Sequence, residues 1–124
     1  MDKEVKELWL TALRSGEYQQ GKGYLKLDYP NGSVGYCCLG VLTNIASQLG
    51  VCNKLKKDDR NRWLVSEQVF PGTEFEWSRS EGAYLLGSVK DWSGVDLEDQ
   101  FALADINDGS SDFDKVIEYI EDKL

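Results

Sequence analysis

Residues 34–42, VGYCCLGVL, hand one periodicity over to another. Backward from Cys37, 34–37 reads as the return strand of a hairpin, because Asn31-Gly32 lies between extended segments and both types tolerate the positive φ of a tight turn. The outgoing strand is 24–29, where Leu25, Leu27 and Tyr29 alternate with Lys26 and Asp28. Forward from Cys38, Leu39, Leu42, Ile45, Ala46 and Leu49 recur at helical spacing, which predicts a helix over about 38–49 closed by Gly50. A hairpin running straight into a helix makes the fold class α+β.

The rest of the chain supplies the layers. Val5, Leu8, Trp9, Ala12 and Leu13 predict a first helix over 3–14, capped by Asp2 and ended by Gly16. Segments 62–65 and 74–78 read as two further strands, and 53–62, NKLKKDDRNR, as a polar loop. Leu85, Leu86, Val89 and Trp92 predict a helix over 84–92 with Gly94 as its stop. Two more helices follow in LEDQFALADI (97–106) and FDKVIEYIEDKL (113–124), the second after a Ser111 or Asp112 cap. The expectation is one α+β domain over 1–124, a small antiparallel sheet of about three to five strands covered by about four to five helices.

Composition excludes several functions. The 124 residues carry 22 acidic and 14 basic side chains, a net charge of −8. Such a surface repels DNA and RNA, whose non-specific binding needs Lys and Arg on phosphates, and it suits a basic protein partner. No apolar run approaches a membrane span of about 18 residues. MDKEVKELWL at the N-terminus is charged and helical rather than a signal peptide, which points to the cytosol. Three cysteines in such a compartment stay reduced.

Cys37 and Cys38 are the first chemical candidates. A thiol at a helix N-terminus gains thiolate character from the helix dipole, as in papain-like enzymes. Such enzymes also need a proton acceptor, and the chain has no histidine. Adjacent cysteines chelate one zinc ion poorly, and no C-x-x-C occurs. Small buried packing residues are therefore the expectation.

GEYQQGKG, 16–23, fits the first seven positions of a P-loop, but Gly23 stands where Ser or Thr binds magnesium. The order is inverted as well, with a helix before and a strand after. What survives is a turn whose Gly21, Lys22 and Gly23 present N–H groups and an ammonium to an anion, against a plain flexible turn. DINDGSSDFD, 105–114, misses the glycine and glutamate of a calcium loop, having Ser110 and Val116 there. Asn107-Asp108-Gly109 reads as an interhelical turn. Trp9 and Trp92 belong to core stripes, whereas Trp63 and Trp77 lie beside Arg62 and Arg79, where a flat ligand can stack.

ALRSGEYQQGKGYL, YCCLGVL, DWSGV and LADINDGSSDFDKVIEYIE resemble, in this order, a family of small proteins from tailed bacteriophages. The likeness covers most of the chain and is weakest over 51–80. It implies an early or accessory phage protein in the cytoplasm of the infected bacterial host, and it carries over no catalytic residues. Phage proteins of this kind often counter host immunity, and the resemblance therefore implies binding of a host protein or sequestration of a nucleotide signal.

The functional expectation is a non-enzymatic homo-oligomer that captures a nucleotide-derived immune signal, a cyclic oligonucleotide or an ADP-ribose cyclisation product. Its expected ligand-binding residues are Gln20, Gly21, Lys22, Gly23, Tyr24, Arg62, Trp63, Trp77 and Arg79, with no metal or cofactor. The alternatives are an acidic inhibitor of a host defence or nucleic-acid-binding protein, and a phage structural or packaging accessory.

Overall fold

A computed structural model describes residues 1–57, 63–64 and 84–124. In chain order the elements are α1 (Lys3–Arg14), β1 (Gln19–Gln20), β2 (Lys26–Asp28), β3 (Val34–Tyr36), α2 (Cys38–Gln48), β4 (Lys56–Lys57), β5 (Trp63–Leu64), α3 (Gly87–Ser93), α4 (Leu97–Asp108) and α5 (Asp114–Lys123). The class is α+β, with helices around a small sheet. Strand order is β1-β3-β2, and β4 pairs with β5 in a separate ribbon.

The hairpin forms at the expected place. Lys26, Leu27 and Asp28 pair antiparallel with Tyr36, Gly35 and Val34, and Gly32 takes the turn at φ +85°. The larger sheet is nevertheless mixed, because β1 runs parallel to β3 with Gln19 opposite Gly35 and Gln20 opposite Tyr36. A two-residue strand has no alternation to betray it, and sequence gave no sign of β1 or β4. The expected strand at 62–65 is represented by β5; the one at 74–78 lies outside the described residues.

Helix α2 is the centre of the molecule. Cys38 to Thr43, Ile45 and Ala46 are all buried, so it is covered on nearly every side rather than along one stripe. Helices α1 and α4 both touch α2, and α5 touches α1 and α4. Trp9 is fully buried and donates its indole N–H to the Cys38 carbonyl at 2.9 Å, tying α1 to the start of α2.

Three boundaries differ from expectation for local reasons. Residues 84–86 are not helical: the Leu85 N–H is taken by the buried Gln100 side chain at 2.9 Å, and α3 starts at Gly87. Helix α5 has Phe113 as its N-cap, while Asp112 accepts the Asp114 N–H from just before it. Helix α4 continues through Asn107 and Asp108, so the expected interhelical turn is the last turn of a helix. Two apolar side chains expected in the core, Leu8 and Leu49, are 46% and 58% exposed. Among the described residues no helix is long and apolar enough to cross a membrane.

Candidate functional site

The QGKG turn is fastened to the end of α4. Gly21 donates its N–H to the Tyr36 carbonyl at 2.7 Å and accepts from Asn107 Nδ2 at 2.8 Å. Gly23, at φ +80°, donates its N–H to Asp108 Oδ1 at 3.0 Å. Gln20 Nε2 bonds the Asn107 and Asp112 carbonyls at 3.0 and 3.1 Å. Both glycine N–H groups expected to face an anion are thus engaged, one of them by a carboxylate. Gly21 is closely packed, since a Cβ there would displace the end of the Leu27 side chain and come within 3.1 Å of Gly35 backbone. Lys22 and Tyr24 remain exposed on the rim of this turn.

Asn107 joins three of the distinctive sequence blocks. It is fully buried, and its Oδ1 accepts the Cys38 N–H at 3.2 Å while its Nδ2 holds Gly21. One amide therefore satisfies an orphan donor in the first turn of α2 and pins QGKG beside it. These spacings serve the fold.

The cysteines are buried and protonated. Burial pushes the Cys37 and Cys52 thiols up to about 11 and the Cys38 thiol well above its ordinary value, so desolvation outweighs the helix dipole. Cys37 is also the N-cap of α2, its Sγ accepting the Gly40 N–H at 3.4 Å. Cys38 and Cys52 reach the Leu103 and Thr43 carbonyls, each at 3.8 Å. Packing is their role, with a cap added at Cys37.

A different cluster gathers charge and rings. Lys26 Nζ lies 3.5 Å from the Trp63 ring centroid and 5.3 Å from that of Tyr36, and Lys57 Nζ lies 5.2 Å from Trp63. Tyr36 in turn meets Tyr18 edge to face at 5.1 Å. Lys57 pairs with Asp28 at 2.6 Å, and that bond holds the Asp28 carboxyl below its ordinary range. The Trp63 indole N–H is buried without a well-formed hydrogen bond, though it adds to the pull on Asp28. Lys26 has no ion pair among the described residues. Burial lowers its pKa, Asp28 opposes the shift and Lys57 reinforces it.

Gln20, Tyr36 and Lys26 stand in one row across the sheet, and Trp63 meets that row from β5. The structure thus brings together Gln20, Gly21, Lys22 and Gly23 at one turn and Trp63 at the lysine face. Arg62, Trp77 and Arg79 lie outside the described residues. Lys26 and Tyr36 were missed, and Lys57 belongs to the basic segment 54–62, the expected alternative place for a pocket. The signal for Lys26 was its place on the polar side of an alternating strand, which marks a face and not what covers it. No curated protein matches the chain, and no solved structure does. One family model matches residues 1–124, and the chain belongs to that family, described as a domain of unknown function, DUF8296.

Proposed function

We propose that this chain is a non-enzymatic phage counter-defence protein that captures a small nucleotide-type anion in the host cytoplasm. The observation that carries the reading is Lys26: a partly desolvated ammonium, without an ion pair among the described residues, over the Trp63 ring beside Tyr36 and Lys57. An anion there would add to the partial compensation that Asp28 gives Lys26, and the rings offer apolar surface to a base. In a protein of net charge −8, a local positive cluster is needed for any anion to dwell. Lys22 lies on the other candidate surface, the QGKG rim, and a binding-competent homo-oligomer would bring such surfaces together.

The non-enzymatic part rests on the absence of histidine and on thiols held neutral by burial. Calorimetric titration with cyclic dinucleotides and ADP-ribose cyclisation products tests the reading. Lys26→Glu is expected to weaken a nucleotide at least about tenfold, which is about 1.4 kcal/mol. If Lys22→Glu abolishes binding and Lys26→Glu does not, the ligand sits at the turn. Absence of binding by every nucleotide tried would favour the protein-binding or packaging alternatives.

A further inference from the structure

The two leucines that leave the core meet on one surface. Between α1 and α2 runs a groove of about 950 Å³ whose apolar floor includes Leu8, Ala12, Ile45 and Leu49. Leu8 is 46% and Leu49 58% exposed, although both fall on the apolar stripes of their helices. Glu4, Glu7 and Glu17 stand around it, and among the described residues that line it Lys3 is the one lysine. The groove follows α1 from residue 3 to residue 15, which at 1.5 Å per residue is roughly 18 Å.

We infer that this groove docks a basic amphipathic helix from a protein partner. A groove between two helices accepts a third by ridge-into-groove packing, and about three turns place anchors at i, i+3 or i+4, and i+7 along it. Charge selects the occupant. Lysines or arginines flanking the apolar stripe would face the three glutamates, and the whole-chain charge of −8 would steer such a helix inward. A second copy of this chain is the wrong partner, because a two-fold contact would set glutamate rim against glutamate rim. A nucleotide is repelled by the same rim, so this surface acts independently of the lysine face.

The test uses a panel of helical peptides of about 14 residues, with leucines at i, i+3, i+4 and i+7 and lysines on the flanks, titrated by fluorescence anisotropy. Saturable binding in the micromolar range is expected, with loss of at least about tenfold when the peptide lysines become glutamates. Leu49→Ser and the triple Glu4→Gln, Glu7→Gln, Glu17→Gln variant should each weaken it at least about fivefold. All four positions are exposed, and circular dichroism melts confirm that the variants fold. Indifference to peptide charge, unchanged affinity in both variants, or no saturation by any peptide below millimolar concentration would overturn the proposal. So would sedimentation showing a dimer that Leu49→Ser dissociates.

Discussion

Gly40→Ala separates local propensity from tertiary packing, because the two predict opposite signs. Gly40 sits in the first turns of α2, and alanine there would gain about 1 kcal/mol from helix propensity alone. The structure forbids the gain. A Cβ built on Gly40 would fall on the Leu25 carbonyl oxygen, 2.6 Å from its carbon and 3.0 Å from its Cα. Carbon pairs rest at about 3.5–4.0 Å and the oxygen lies nearer than the carbon, so the Leu25 backbone must retreat by more than about 1 Å. Leu25 is itself in the core at 4% exposure, and its side chain would be drawn out with the backbone. Overpacking of this kind costs about 1–3 kcal/mol, and part of a buried leucine's contribution of about 1.5–3 kcal/mol is lost as well. After the propensity gain, a net destabilisation of about 1–4 kcal/mol is expected, lowering Tm by roughly 10 °C at the middle of that range for a domain of this size. Urea titration followed by circular dichroism measures it, with exposed Gln48→Ala on the same helix as a control expected within about 0.5 kcal/mol of wild type. Wild-type or higher stability for Gly40→Ala would refute the close crossing of Leu25 over α2.

Asn107→Ala should cost about 3–4 kcal/mol in the same urea titration, because it strands the buried Cys38 N–H and Gly21 carbonyl together. Cys37→Ala should lose about 1–2 kcal/mol, with Cys37→Ser recovering part of it by keeping an acceptor for the Gly40 N–H. The Cys37 thiol is raised from 9.0 to about 11, so the folded state keeps its proton longer than the unfolded one; this thiol alone should take about 2–3 kcal/mol from stability between pH 9 and 11, Cys38 and Cys52 act in the same direction, and the fall should be less steep in Cys37→Ala. Lys26 has the opposite sign: its pKa is lowered, so its charging penalty is present at neutral pH and is relieved as pH rises toward 10.5. An anion bound at Lys26 should therefore cause proton uptake in alkaline buffer, read by calorimetry in two buffers of different ionisation heat, and Lys26→Met should abolish the uptake.

Much of the scaffold was legible because its signals are local. The bounds of α1, the hairpin turn at Asn31-Gly32 and the core stripe of α5 each follow from caps, turn chemistry or apolar spacing within a dozen residues. What was not legible depends on partners far along the chain. Gln20 meets Asn107 and Asp112 across more than eighty positions, and only that meeting shows what QGKG contributes. A glycine turn beside a lysine has the same sequence whether it cradles phosphate or closes on a carboxylate. Asp108 decides between them here, by taking the Gly23 N–H. Leu8 and Leu49 were misjudged for a related reason: periodicity marks which face is apolar, and only the neighbour decides whether each position on it is covered, as Val5 is, or left open, as Leu8 is.

The two surfaces with unmet chemistry lie away from the network that knits the distinctive sequence blocks together. Asn107 is fully buried, and its partners Cys38 and Gly21 are buried as well, so a ligand reaching it would have to open the junction of α2, α4 and β1. Lys26 is different, because its ammonium is only partly withdrawn from water, the carboxylate that acts on it, Asp28, is paired with Lys57, and the rings beside it attract a cation without neutralising it. Leu8 and Leu49 are different again, since they carry apolar area with no covering element among the described residues. A residue whose hydrogen bonds are all met within the fold gains little by binding, whereas an unbalanced charge or an uncovered leucine gains from each suitable partner. Binding is therefore expected at the lysine face and the α1–α2 groove, and the motifs that make the sequence distinctive are expected to hold those surfaces in position.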